Sequence, residues 1–316
     1  MTFHRNLAET ASLALYRAIT TLITPFLGQH LKKRLKRGKE HPSRWREKQG
    51  FSVTARPNGK LIWLNAVGLG EVMALRGLIV ALHNRDPELN FLVTSSTLVS
   101  AETFAKNLPP NTLHQFLPLD SPAYTRRFLD HWKPNLALWS EQDIWPGLVF
   151  QTSHRNIPQA LVNVRMTKTS FRNKTFVQAL FRATYKNFSL ISAQEPQTAN
   201  ALKTLSVRED IQIDGSLKPH CPPLFVDPKG QAEFSTAAIG RSIWLAASCH
   251  PEDEDLALHA QRLLLAKGAN PLLILAPRHP SRTDEILAKL DGLSVKIHSR
   301  GELPAAETQI YLADSF

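Results

Sequence analysis

From residue 61 onward, short apolar runs alternate with longer segments of helical periodicity. The runs at 61–67, 91–94, 113–116, 136–139, 159–162, 190–193 and 211–213 read as strands. Between them, 72–83, 122–132 and 171–186 carry apolar positions at helical spacing. This rhythm predicts right-handed βαβ units and a parallel sheet with helices on both faces. Proline then interrupts the pattern. Lys218-Pro219-His220-Cys221-Pro222-Pro223 and Asp227-Pro228-Lys229-Gly230 are read as unable to continue helix or ladder, which makes 217–240 a linker. A second alternation follows, with strands at 242–247, 272–276, 295–298 and 310–312 and helices at 251–267 and 281–290. The predicted class is α/β, in two Rossmann-like parallel-sheet lobes. The first spans 51–216 and the second 241–316, after a distinct segment at 1–50. The second lobe has about four strands and stops on one, so it is expected to be incomplete against the larger number a doubly wound lobe uses.

The first fifty residues differ from the rest. Leu15, Ile19, Leu22, Ile23, Phe26 and Leu27 form an apolar stripe at helical spacing, followed by Lys32-Lys33-Arg34-Leu35-Lys36-Arg37. A spanning helix needs ~20 largely uncharged apolar residues, and Glu9, Arg17 and several Thr make this a poor one. It is also a poor cleavable leader, because the charge follows the apolar part. An amphipathic helix lying on an anionic lipid surface fits better. The alternative is a helix packed on the body with a solvated basic tail.

Charge and cysteine content narrow the function classes. Residues 1–50 hold eleven Lys/Arg against three acids, a net +8, which leaves only +3 of the total +11 for the other 266 residues. A nucleic-acid binder would carry its basic face on the folded body, so no nucleic-acid partner is expected. With Cys221 and Cys249 as the only cysteines and no CxxC pair, neither a disulfide framework nor a zinc site is expected. A reducing cytosolic setting follows.

Candidate chemistry sits where strands end. The 61–67 strand runs into Gly68-Leu69-Gly70-Glu71, which places Glu71 at a helix N-terminus on the carboxyl edge of the sheet. Ligands bind at that edge, and the helix dipole favours the ionised carboxylate. The local pattern by itself favours a plain capping role slightly over a chemical one. A dinucleotide site wants GxGxxG, and Met73 stands at its third glycine. Glu141-Gln142-Asp143-Ile144-Trp145-Pro146 offers two acids and a ring for sugar hydroxyls and a sugar face, or else two caps and a core Trp. Lys218 follows the end of the first lobe, Arg165 ends a strand within it, and Pro277-Arg278 ends a strand of the second lobe. An arginine fork suits phosphate. Residues 252–255 are acidic and look metal-binding, but the first turn of a helix favours acids in any case. Ser248-Cys249-His250 is discounted as a nucleophile and base, because adjacent residues rarely align for that purpose.

Taken together, these strings resemble the 3-deoxy-D-manno-octulosonic acid (Kdo) transferases of lipopolysaccharide synthesis, a family with the GT-B fold, in which two lobes face a cleft. The resemblance rests on Trp63 to Val72, Phe116-Leu117-Pro118-Leu119-Asp120, Glu141 to Pro146 and Val162 to Met166. It continues through Gly215 to Lys218, Ala246 to His250 and Pro277 to Pro280. It implies inverting, metal-independent transfer of Kdo from CMP-Kdo to a lipid A precursor, without a cofactor, at the cytoplasmic face of the inner membrane. Glu71 matches the family's proton acceptor, Glu141 and Lys218 match residues that stabilise the transition state, and Pro277 and Arg278 match part of the CMP site. An N-terminal membrane-associating segment is also a family trait. The chain departs from the usual Ser, Glu and Asn at Gly68, Asp143 and Ser216. The family's remaining CMP contacts, in a Gly-Glu-Leu-type and an Asn-Pro-x-Glu-type segment, are expected after Phe316. An alternative product is therefore an inactive, membrane-associated acceptor-binding lobe without a competent nucleotide site.

Overall fold

A computed structural model describes residues 2–206, 208–290 and 292–315, in two compact units, Met1–Leu224 and Phe225–Phe316. The first begins with the long helix α1 (Thr2–Lys36). It continues through β1 (Leu61–Asn65), α2 (Leu69–Arg85), β2 (Asn90–Ser95), α3 (Leu98–Ala105) and β3 (Thr112–Phe116). Then come α4 (Pro122–Trp132), β4 (Leu136–Ser140), α5 (Pro146–Ser153) and β5 (Gln159–Val164). The unit closes with α6 (Lys168–Phe176), α7 (Gln178–Tyr185), β6 (Leu190–Ala193), α8 (Pro196–Ser206) and β7 (Ile211–Ile213). All seven strands are parallel, in the order β3-β2-β1-β4-β5-β6-β7. The chain winds outward from β1 to one edge, then crosses to β4 and winds to the other. The switch point therefore lies between the carboxyl ends of β1 and β4.

The central strands β1, β2 and β4 are largely apolar on both sides because both sides are covered. One face packs Trp63, Trp139 and Leu161 against Phe128, Leu148, Tyr185 and Leu202 of α4, α5, α7 and α8. Trp63 meets Trp139 and Phe128 edge to face, with centroids 5.0 and 5.1 Å apart. The other face packs Leu64, Val93 and Leu138 against Val72, Leu75 and Ile79 of α2 and Phe104 of α3. The segment expected as one helix at 171–186 is two, divided at Val177, whose φ of −116° and ψ of 35° leave the helical region.

Helix α1 is packed on the body by its polar side. Glu9, 5% exposed, is 2.5 Å from Lys186 Nζ, and Tyr16 Oη donates to Asp120 at 2.7 Å. Thr24 and Ser121 share a hydrogen bond of 2.7 Å, and the Arg17 guanidinium lies 4.7 Å from the Phe150 ring centre. The apolar stripe points away, with Leu15 62%, Leu22 74% and Phe26 68% exposed. The packed-helix alternative raised by the sequence therefore holds for the polar side. The helix is packed, yet its apolar face is free. By length and composition, 7–36 passes as a helix able to cross a membrane.

Asp120, 8% exposed, accepts from Tyr16 Oη and from the amides of Gly147 and Leu148, and so joins α1 to the first turn of α5. Burial raises its carboxyl to about 6. The folded chain thus keeps a proton that the unfolded chain releases near pH 4. This contribution to stability is complete below about pH 4 and is lost as pH rises through about 6. Asp120→Asn should flatten that part of the stability curve by about 2–3 kcal/mol. Urea midpoints of both proteins from pH 4 to 7 check this, and parallel curves would reject it.

The second unit comprises α9 (Pro228–Ala237), β8 (Ile243–Cys249), α10 (Pro251–Ala266), β9 (Leu272–Pro277), α11 (Thr283–Leu287), β10 (Val295–Ile297) and β11 (Ile310–Leu312). Its four strands are parallel, in the order β10-β11-β9-β8. Residues 228–237, expected as linker, are helical. Asp227 caps the amides of Lys229 and Gly230, and Pro228 sits in the first turn, where its missing N–H is not needed.

Candidate active site

The turn after β1 places Glu71 in the first turn of α2, where its Oε2 accepts the amides of Val67 at 3.0 Å and Gly68 at 3.1 Å. Capping and partial exposure coexist here, since the residue is half-buried. Across the switch point, Glu141 follows β4 with φ at 60°, a left-handed conformation uncommon for glutamate. Its amide donates to Val162 O at 3.0 Å, and its carboxyl lies near enough to that of Glu71 to feel its charge. Asn163, at the end of β5, is also left-handed, with φ at 56°. Non-glycine residues held in the left-handed region side by side at one sheet edge are a mark of function.

The electrostatics follow from three acids in a half-buried place. Burial raises the Glu141 carboxyl and the charge of Glu71 raises it further, while Lys218 and Arg165 oppose this. Asp143 is raised to about 6 by burial and then by Glu71, against the pull of Lys174. Lys174, itself buried, lies 4.3 Å from the Phe181 ring centre, and burial lowers its ammonium. Two carboxyls raised by burial and by the charge of a third beside them are the pattern of an acid–base site. The acidic loop is fixed from below by a buried relay. Trp63 Nε1 donates to Thr94 Oγ1 at 2.9 Å, Thr94 Oγ1 donates to Asn65 Oδ1 at 2.9 Å, and Asn65 Nδ2 donates to Asp143 O at 3.2 Å. Trp145 precedes α5 and is 37% exposed, so its ring is partly available at the site and is not a core residue.

Glu71, Glu141 and Lys218 are thus brought to one edge of the first unit. Lys218 opens a short 3-10 turn and is exposed. Pro277 and Arg278 belong to the second unit, where Pro277 is the buried last residue of β9. Arg278 is exposed, its amide donating to Cys249 O at 2.8 Å and its Nη1 to Ser248 Oγ at 3.4 Å. The acids at 252–254 lie in the first turn of α10, which Asp253 caps. Asp253 accepts the His250 amide at 3.0 Å, and Glu254 pairs with Arg282 at 2.7 Å. Among the described residues no group of three His, Cys, Asp or Glu could hold a metal ion. Lys174 and Asn65 escaped the sequence reading. One looks like any lysine of an amphipathic helix, and the other like a polar strand end.

The profile of the 3-deoxy-D-manno-octulosonic-acid transferase (kdotransferase) family matches residues 43–221, which include Glu71, Glu141 and Lys218. The chain belongs to the Kdo transferase family. A probable mitochondrial 3-deoxy-D-manno-octulosonic acid transferase of Arabidopsis thaliana is 33% identical over 95% of this chain and 69% of its own length. The 3-deoxy-D-manno-octulosonic acid transferases of Rickettsia felis and Haemophilus influenzae are 34% and 31% identical, over 81% and 85% of this chain. This Kdo transferase family member spans 55% and 64% of those two proteins. A UDP-GlcNAc 2-epimerase from Neisseria meningitidis superposes with a TM-score of 0.53 at 12% identity, covering 82% of this chain and 72% of its own. The putative UDP-N-acetylglucosamine 2-epimerase of Listeria monocytogenes gives 0.51 at 12% identity, covering 83% of this chain and 70% of its own. At that identity the likeness concerns the fold, and it fits the GT-B class of the family.

Proposed function

We propose that the protein transfers Kdo from CMP-Kdo to a hydroxyl of a lipid A precursor in lipopolysaccharide synthesis, with inversion and without a metal, at the cytoplasmic surface of a membrane. The observation that carries this reading is the Glu71–Glu141 carboxyl pair at the β1/β4 switch point. Glu71 takes the proton of the acceptor hydroxyl as its oxygen bonds to the anomeric carbon of Kdo. The bond from that carbon to the CMP phosphate oxygen breaks, and CMP leaves with the electron pair. Two backbone amides hold one Glu71 oxygen in place, which fixes the base before the acceptor arrives. Glu141 and Lys218 balance the charge that develops at the sugar, and Pro277 and Arg278 hold the nucleotide.

The outward apolar stripe of α1 supports a lipid surface as the place of reaction. A contiguous exposed apolar patch is uncommon on a soluble body, and this one leads into the basic run at the end of the helix. Such a helix lies in the interface, with its apolar side in the acyl region and its cations at the headgroups. The test is to incubate the 316-residue chain with CMP-Kdo and a lipid A precursor in anionic vesicles and to follow Kdo-lipid and CMP. Stoichiometric formation of both is expected. Calorimetry with CMP separates the alternative, because a chain that binds no CMP is an acceptor-binding lobe only.

A further inference from the structure

We propose that Arg76 and Gly77 are positioning residues that strap the 217–223 segment onto α2 and so set Lys218 relative to Glu71, which α2 also carries. The inference rests on the role given to Lys218 above.

Lys218 stands on a segment that lies outside the strand ladder, and its own side chain is exposed. A cation on a loose segment would be a poor transition-state partner, because a displacement of about 1 Å costs on the order of 10²-fold in rate. This segment is tied on either side of Lys218, at Leu217 and at residues 221–223. The Leu217 amide donates to Asn163 Oδ1 at 3.0 Å, and the Leu217 side chain packs against the core formed by Leu64, Leu75 and Leu138. Cys221 Sγ donates to Met73 O at 3.4 Å. The Arg76 guanidinium, on a residue only 7% exposed, donates through Nη1 to Pro222 O at 3.1 Å and through Nη2 to Pro223 O at 3.0 Å. Its Nε donates to Asn107 O at 3.1 Å.

Arg76 lies among the buried positions of α2, beside Leu75 and one turn from Val72 and Ile79, where an apolar side chain would be the ordinary choice. Among the described residues no carboxylate pairs with it. Burying a guanidinium against neutral carbonyls is unfavourable compared with an apolar residue, so core packing does not account for it, whereas holding two successive carbonyls of the strap does. Gly77 completes the arrangement. A methyl there would lie 2.8 Å from the His220 carbonyl carbon and 3.3 Å from the Cys221 amide nitrogen, both backbone atoms that cannot turn aside. Pro219, Pro222 and Pro223 fix φ along the strap and stiffen it. The helix then acts as a ruler, since five or six residues at 1.5 Å rise separate Glu71 from the clamp by about 8 Å.

The test is a double-mutant cycle with two readouts, kcat for Kdo transfer and the titration of the Glu141 carboxyl by carbon NMR, which Lys218 influences directly. Gly77→Ala and Arg76→Met should each lower kcat by roughly 10²-fold, with a smaller change in the KM for CMP-Kdo. Each should shift the Glu141 titration upward, as Lys218→Met does. Neither should add to the effect of Lys218→Met when combined with it. Arg76→Lys, which keeps a cation but not the fork, should rescue only in part, and it carries the test should Gly77→Ala fail to fold. If Lys218→Met is impaired while Gly77→Ala and both Arg76 variants titrate and turn over as wild type, the strap has no positioning role. Multiplicative losses in the double variants would overturn it as well. A Lys218→Met protein that is unchanged in both readouts instead removes the role assigned to the lysine, and the strap's purpose with it.

Discussion

Glu71→Gln should lower Kdo transfer by about 10²–10⁴-fold and leave CMP affinity within about twofold of wild type, a few tenths of a kcal/mol. The amide keeps an oxygen for the Val67 and Gly68 N–H groups, so the first turn of α2 stays capped. What it loses is the capacity to take a proton. Glu141 gives a second sign of the same event. Its carboxyl is raised by burial and then by the Glu71 charge, so neutralising residue 71 should lower the Glu141 titration. Turnover assays with the CMP-Kdo donor, CMP calorimetry and a carbon NMR titration check the three parts separately. Near-normal turnover in the variant would remove Glu71 from the reaction. An unchanged Glu141 titration would break the pair.

The second large effect belongs to the outer face of α1. Leu22→Glu combined with Phe26→Glu should reduce binding to anionic vesicles by about 10³-fold or more. Each buried side chain contributes ~1.5–3 kcal/mol, and the new carboxylates are repelled by anionic headgroups. Both positions are exposed, so folding should be unaffected. Co-sedimentation with vesicles at low and high salt, beside a thermal melt, decides the matter. Retained binding with an intact fold would mean that another surface meets the lipid.

The sheet was legible because parallel strands buried on both faces leave continuous apolar runs, and β6 and β11 occupy the predicted residues, as does the more exposed edge strand β7. The division at Val177 was not, since the periodicity of α6 continues into α7 and a single non-helical residue leaves no mark on it. The stripe on α1 was legible as a stripe, but which side would pack was not. The polar side chains that hold the helix find partners far along the chain, Tyr16 with Asp120 and Glu9 with Lys186. In the site, the glycine turn announced Glu71, whereas the partners that shift its neighbours arrive from other strands and helices. Lys174 and Asn65 become visible only when the sheet brings α6 and β1 to the same edge. Arg76 reads as an ordinary charged helix residue until its two proline carbonyls are located.

The inward-turned polar side of α1 bears on how such a protein can be handled outside a membrane. Trimming the N-terminus to gain solubility would remove Tyr16 from Asp120 and Thr24 from Ser121, and would uncover the flanks of α4, α5 and α7. The shortened protein would exchange one greasy exterior for a ragged polar wound beside the acidic loop. Detergent-free preparations are better sought by recolouring the outer row, at Leu15, Leu22 and Phe26, than by amputation.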